Sequence, residues 1–215
     1  MRIIIPRMET TYFHGAYDGG SKYMQQLAEE LVKRGYEVEI VTTKLKNNSI
    51  NHIKRNGVDY TFIFPEYTKK RLIPFNIYYK WIFSKELNNY LKTQEFDILH
   101  SSEMFSYNYL HNKKRKPSIM QSWALEPFYG YECNSHKGLK KLYVNIFLKR
   151  SWGYCLRNSD RVTADKEFQI KGLTNLGVKE ENIVFIPNGI YWKNIQERRK
   201  NFKNRRKELG FKEDD

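Results

Sequence analysis

Residues 2–43 read as one complete strand, loop, helix, turn and strand, and the same alternation recurs almost to the end of the chain. The apolar run RIIIP opens it, and a polar loop with Gly15, Gly19 and Gly20 leads into SKYMQQLAEELVKRGYEVEIVTT. Met24, Leu27, Leu31 and Val32 recur at helical spacing and would line one face of a helix. Ser21 is the expected N-cap, and Gly35 the left-handed residue that ends the helix. Val38, Ile40 and Val41 then form a second strand. Further strands are predicted at Tyr60–Phe64, Asp97–His100, Ser118–Ser122, Arg161–Ala164 and Ile183–Ile186. Helices are predicted within 74–92, near Phe105–His111, over 138–157 and near 166–176. Such alternation specifies an α/β doubly wound parallel sheet, with helices on both faces and ligand loops at the strand C-terminal ends.

The chain has 215 residues, enough for one large domain with a tail, and its 40% hydrophobic and 15% aromatic content can build a buried core. No apolar run approaches the roughly 20 residues that span a bilayer, and the opening lacks a signal-peptide core, so the chain is expected in the cytosol. Cys133 and Cys155 have no metal-site spacing and are read as ordinary reduced thiols. The five histidines are scattered, with no pair on one helical face, so no metal or other cofactor is expected.

Loops that follow strands are where this architecture holds ligands. The first such loop carries Asp18, Gly19 and Gly20 ahead of a helix, whose free amides and positive dipole end suit an anionic group such as a diphosphate. There is no G-x-G-x-x-G and no acid at the end of the second strand, where Thr42, Thr43 and Lys44 stand, which argues against a dinucleotide. The second loop follows FDILH, placing His100 at a strand end with Ser101, Ser102 and Glu103 after it. The third follows PSIMQS and carries Trp123 and Glu126. The fourth holds Asn188 and Gly189 in IPNGI, where the chain would leave the domain. Each of these signals taken alone is equally read as a turn or a structural polar residue.

Taken in order, the Gly19–Gly20 loop, LAEELVKRGYEVEIVTT, FDILH, PSIMQSWALEP, SDRVTADKEFQIKGLTNLGV and ENIVFIPNGI resemble the N-terminal domain of retaining GT-B glycosyltransferases, the group 1 or family 4-like enzymes. The resemblance runs from about residue 1 to 192. It implies a Rossmann-like acceptor-side domain over 1–192 and a basic helical hinge or tail over 193–215, with the second, donor-binding domain absent. It implies Gly19 and Gly20 near the donor diphosphate, Asn188 and Gly189 at the interdomain hinge, and His100, Trp123 and Glu126 as catalytic candidates. The second histidine of the strand-end pair is Ser102 here, and Trp123 with Ala124 stands where the family has a histidine and a glycine. Tyr191 replaces a hinge aspartate, and Lys166 stands where a serine is common. The implied activity is hexose transfer from a nucleotide-diphosphate sugar to a lipid-linked or saccharide acceptor in cell-envelope glycan synthesis, with a separately encoded C-terminal domain as partner. A non-catalytic acceptor- or membrane-binding remnant is the alternative.

The formal net charge of +14 is spread along the chain and peaks over residues 101–150, so a folded basic face is expected. Lys69–Lys92 interleaves six Lys/Arg with Phe75, Tyr78, Tyr79, Trp81, Phe83 and Tyr90. An anionic membrane surface on the inner side of the membrane suits it, with Lys69, Lys70, Arg71 and Trp81 joined by Lys113, Lys114, Arg115 and Lys116. Leu72, Phe75, Tyr79, Ile82 and Phe83 would equally pack on the sheet with the lysines solvated. Single-stranded nucleic acid is the lesser alternative; no RNP-type strand, Gly-x-x-Gly clamp or zinc finger supports it, and no nucleic-acid partner is expected.

Overall fold

The computed structural model describes residues 1–16, 18–46, 49–66, 77–122, 146, 149–187 and 189. Eight strands form one sheet: β1 Arg2–Pro6, β2 Glu37–Lys44, β3 His52–Arg55, β4 Val58–Glu66, β5 Ile98–Ser102, β6 Ser118–Gln121, β7 Arg161–Ala164 and β8 Ile183–Phe185. Their order is β3-β4-β2-β1-β5-β6-β7-β8, and every pair is parallel except β3 with β4. The chain winds outward from β1 through β2 to β4, then returns to start again at β5. The doubly wound sheet expected from the alternation is therefore present, and its topological switch lies between β1 and β5.

The helices are α1 Thr11–His14, α2 Gly19–Lys33, α3 Ile77–Leu91, α4 Tyr107–Leu110, α5 Lys149–Asn158 and α6 Glu167–Asn175. They divide the core into two layers. On one face, Met24 and Ala28 of α2 pack on Ile3, Ile5, Val38, Ile40, Tyr60 and Phe62. On the other, Phe83, Leu87 and Leu91 of α3 join Leu99, Met120, Val162 and, from α5, Trp152 and Leu156. Ile3 and Ile5 face one layer while Ile4 faces the other, as strand alternation requires. All three are nearly inaccessible because a central parallel strand is covered on both sides. Each such burial stabilises by about 2 kcal/mol.

Two local expectations are corrected. Asp18, not Ser21, caps α2: its carboxylate accepts from Ser21 N at 2.9 Å and Ser21 Oγ at 2.5 Å, so the helix starts at Gly19. The edge strand β3 was not predicted at all. Asn56 and Gly57, both at positive φ (52° and 80°), form the two-residue turn that pairs Arg55 with Val58. Such turns match strand twist and take Asn-Gly for that reason. β3 is exposed and polar, with only Ile53 packed on a core layer, so it carries no hydrophobic alternation.

Tyr79, Phe83, Leu87 and Leu91 of α3 pack on the core. Its opposite side is a stripe of exposed residues at helical spacing: Tyr78, Trp81, Lys85, Asn89 and Lys92. The packing expected of Tyr79 and Phe83 is thus present, while Trp81 lies on the exposed side of the same helix. Lys69, Lys70, Arg71, Leu72 and Phe75 lie outside the described residues, as do Trp123, Glu126, Cys133 and Asn188. Cys155 is a free, fully buried thiol, which burial pushes up to about 12 despite a hydrogen bond with Ser106. Among the described residues no helix is long and apolar enough to cross a membrane.

Candidate functional site

In a doubly wound sheet the switch point, here between β1 and β5, is where a crevice forms at the C-terminal edge. Arg7 is the first residue past β1, Glu103 the first past β5, and Asp18 caps the helix that the first loop leads into. These three meet. Arg7 Nη2 donates to Asp18 Oδ1 at 2.9 Å, and Arg7 Nη1 lies 3.7 Å from Glu103 Oε1. From the other side Lys80, in the first turn of α3, forms an ion pair with Glu103 Oε2. Two cations and two carboxylates so form a chain across the crevice.

Burial governs how that chain ionises. The Arg7 side chain is 11% exposed and that of Glu103 22%. Burial on its own pushes the Glu103 carboxyl up, but the Lys80 and Arg7 charges outweigh it and hold the carboxyl below its usual range. The same balance acts at Asp18: burial raises it, and the Ser21 hydroxyl and amide, with Arg7, bring it lower. Glu103 also occupies the left-handed region at φ 53°, which costs a non-glycine residue about 1 kcal/mol. Strain held in place by ion pairs at a strand end has the character of a functional site.

Gly19 and Gly20 are the first two residues of α2, beside this chain of charges. A side chain at Gly19 would meet nothing within 4 Å, so the backbone faces open space. The Asp18 carboxylate sits on the amides of this first turn and would repel a phosphate. Arg7, bonded to that carboxylate, offsets the repulsion, leaving the amides and the α2 dipole to attract an anion.

His100 is the third of five residues in β5, not at its end, because the strand continues to Ser102. It shares a sheet face with Ser102, and the register carries that face across to Gln121 and Thr163. Thr163 Oγ1 donates to Gln121 Oε1 at 2.6 Å. The His100 Nε2 and Ser102 Oγ are buried with no hydrogen-bond partner among the described residues. Burial drives the His100 imidazole down to about 4, opposed by the neighbouring Gln121 side chain, so the ring is neutral near pH 7. A second buried histidine, His14, braces the first loop. Its Nδ1 accepts from Thr10 N at 3.1 Å, its Nε2 donates to Thr43 O at 3.1 Å, and burial lowers it to about 4.

Of the residues singled out from sequence, the structure brings Gly19, Gly20, Asp18 and Glu103 to one crevice and sets His100 within an adjoining polar strip. Gly189 is exposed beyond β8, and Lys113, Lys114, Arg115 and Lys116 lie between α4 and β6, away from the crevice. Arg7 and Lys80 went unrecognised. Arg7 had a readable signal, a charged residue directly after the central apolar run; Lys80 had none, since it reaches Glu103 only through the packing of α3.

The family model for Glycosyltransferase Family 4 matches residues 17–191. The chain belongs to Glycosyltransferase Family 4. Solved structures carry the same fold at low identity. Sucrose-phosphate synthase from Thermosynechococcus elongatus superposes with a TM-score of 0.63 at 16% identity, over 94% of this chain and 53% of that one. WaaG, a glycosyltransferase involved in lipopolysaccharide biosynthesis, gives 0.58 at 14%, over 94% and 52%. HepE from Anabaena, in complex with UDP and glucose, gives 0.50 at 12%, over 88% and 45%. No curated protein sequence matches the chain. The family 4 chain thus spans about half the length of these solved proteins, and its fold is the GT-B Rossmann-like domain expected from the motifs.

Proposed function

We propose that this chain forms the acceptor-side half of a family 4 glycosyltransferase, which moves a hexose from a nucleotide-diphosphate sugar to a lipid-linked or saccharide acceptor of the cell envelope. The observation that carries this reading is the start of α2 at Gly19, open towards the β1–β5 crevice and flanked by Arg7 and Lys80. Transfer requires the departing diphosphate to be stabilised as its charge grows, and backbone amides with buried cations supply that without a metal. HepE, solved with UDP and glucose, binds a nucleotide of the proposed kind. We assign Gly19 and Gly20 to the diphosphate, His100, Trp123 and Glu126 to the transferred sugar, and Asn188 and Gly189 to the hinge. Transfer proceeds with retention, and a C-terminal donor domain completes the site, since selective binding of the transition state needs both walls of the cleft. Residues 1–192 make the acceptor-side domain and 193–215 the basic connection to its partner.

The exposed stripe on α3 favours a second property, contact with an anionic membrane surface on the cytoplasmic side. Tyr78 and Trp81 are 56% and 44% exposed at one end of the stripe, and Lys85 and Lys92 continue it. Aromatic rings at headgroup depth beside lysines give about 1 kcal/mol per cation near such a surface. Flotation with vesicles that shows no dependence on anionic lipid, or none on Trp81, removes this contact.

The deciding experiment is hydrolysis and transfer of uridine and guanosine diphosphate sugars by the purified chain, with and without the product of the neighbouring gene. Turnover that needs both is expected. Turnover by the chain alone would show that it holds a complete site and that the partner is unnecessary. Absence of turnover in both arms, together with no binding of uridine diphosphate, would leave an acceptor- or membrane-binding remnant.

A further inference from the structure

The strongest unexplained feature lies at the opposite end of the sheet from the crevice. A cleft of about 660 Å³ runs between the C-terminal end of α3 and the loop joining α4 to β6. Its lining includes Lys92, Lys113, Lys114 and Lys116, together with the side-chain amides Asn88 and Asn112, and among the described residues no carboxylate lines it. We propose that this cleft is a binding site for a phosphate-bearing ligand of headgroup size, separate from the sugar-transfer crevice and independent of the reading given to it.

The cleft is built, not a loose cluster of lysines. Arg115 lines it too, but its guanidinium is held by Asp160, Ser118 Oγ at 3.1 Å and Asn158 O at 2.8 Å, and so pins the centre of the KKRK loop to the start of β7. Tyr109 Oη donates to Lys116 O at 2.8 Å and ties the end of the loop to α4. Asn112 Nδ2 donates to Asn88 Oδ1 at 2.7 Å, joining the two walls. The apolar floor is Leu91, Phe96 and Tyr109.

One effect opposes an anion here. The cleft meets the C-terminal end of α3, where a helix dipole is worth about half a negative charge. The carbonyls of Asn88, Tyr90 and Leu91 are already met by the amides of Lys92, Thr93 and Gln94, at 3.3, 3.0 and 3.3 Å. Four lysines against about half a charge leave the cleft strongly positive. Three side-chain amides, Asn88, Gln94 and Asn112, set among the lysines over an apolar floor, offer neutral donors that fit a discrete phosphate group, whereas lysines alone would suffice for a membrane surface. The same chemistry is offered by a lipid headgroup and by a soluble phosphate ester.

The test uses the whole chain labelled with nitrogen-15, titrated with inorganic pyrophosphate and, separately, with vesicles of phosphatidylcholine with and without phosphatidylglycerol. The side-chain amide signals of Asn88 and Asn112 report on the cleft itself. They are expected to shift with pyrophosphate if the source is soluble, or only with vesicles holding phosphatidylglycerol if it is a lipid. A variant carrying Lys113→Gln, Lys114→Gln and Lys116→Gln should keep its melting temperature and bind the effective probe about tenfold more weakly, the product of three exposed charge contacts. Arg7→Gln, in the other crevice, should leave these signals and their titration unchanged. Asn88 and Asn112 signals that move with neither probe, or that move equally in the triple variant, would overturn the proposal.

Discussion

The two ends of the sheet use the same side chains to opposite ends. At the N-terminal edge the buried carboxylates are fully paired, and the lysines left unpaired among the described residues lie apart from them around the cleft. Buried Glu39 accepts from Arg2 Nη2 at 2.8 Å, Thr61 Oγ1 at 2.6 Å and Tyr90 Oη at 2.5 Å. Asp160 accepts from Arg115 and from both the amide and the hydroxyl of Ser118, at 2.8 and 2.9 Å. At the C-terminal edge, Arg7 and Lys80 converge on a Glu103 held at positive φ, beside a helix start that faces open space. The first arrangement fastens strands together. The second holds charge in a strained and partly open geometry, which is how a scaffold presents a binding group.

Acid should separate the two ends most sharply. His14 and His100 have folded values of about 4, against about 6.5 for an unfolded histidine. Between these values the unfolded chain binds more protons, so the contribution is complete above about pH 6.5 and is lost as pH falls towards 4. Each histidine contributes at most about 3 kcal/mol. The carboxylates Glu103, Asp18 and Asp160, all lowered, contribute above about pH 4 and lose their share only below it. Urea unfolding at about pH 7 and about pH 4.5 should show a large drop in midpoint, smaller in His100→Gln. Hydrogen exchange should quicken first at Thr43 N and Arg7 N, at the His14 end. An unchanged midpoint would mean that neither ring is held neutral.

Arg115→Met should come next, at about 2 kcal/mol, because Asp160 and the Asn158 carbonyl lose a charged donor. Binding of uridine diphosphate at the crevice should not change, and calorimetry that found it weakened would show that the Arg115 contacts reach the crevice. Asp18→Ala is the smallest effect on stability, about 1 kcal/mol for a lost N-cap. It should also raise affinity for uridine diphosphate, since it removes the negative charge at the Gly19 amides and frees Arg7. Weaker binding instead would show that Asp18 is a ligand-facing group and not a restraint on Arg7.

The order of elements was legible in the residues because each is short, apolar on the side it buries, and bounded by a turn. β7 was placed at its observed bounds, and the other central strands within two or three residues. β3 was missed for a physical reason: an edge strand with one packed residue has no hydrophobic period, and only the Asn56-Gly57 turn marked it. The cap at Asp18 was displaced by three residues because Ser21 is equally capable of capping by type, but its amide and hydroxyl both donate to the Asp18 carboxylate. The candidate site was legible as loops, not as contacts.

What the residues determined unaided is the doubly wound sheet, its two helical layers and the edge at which the loops after the parallel strands gather, all of which follow from local period and handed crossovers. Only the tertiary structure decided which charges meet there. Arg7, Asp18, Lys80 and Glu103 come from four separate parts of the chain, and no local pattern encodes that β1 and β5 become neighbours or that α3 brings its first turn to their ends. Electrostatic partnership depends on distance and burial, and both are set by packing.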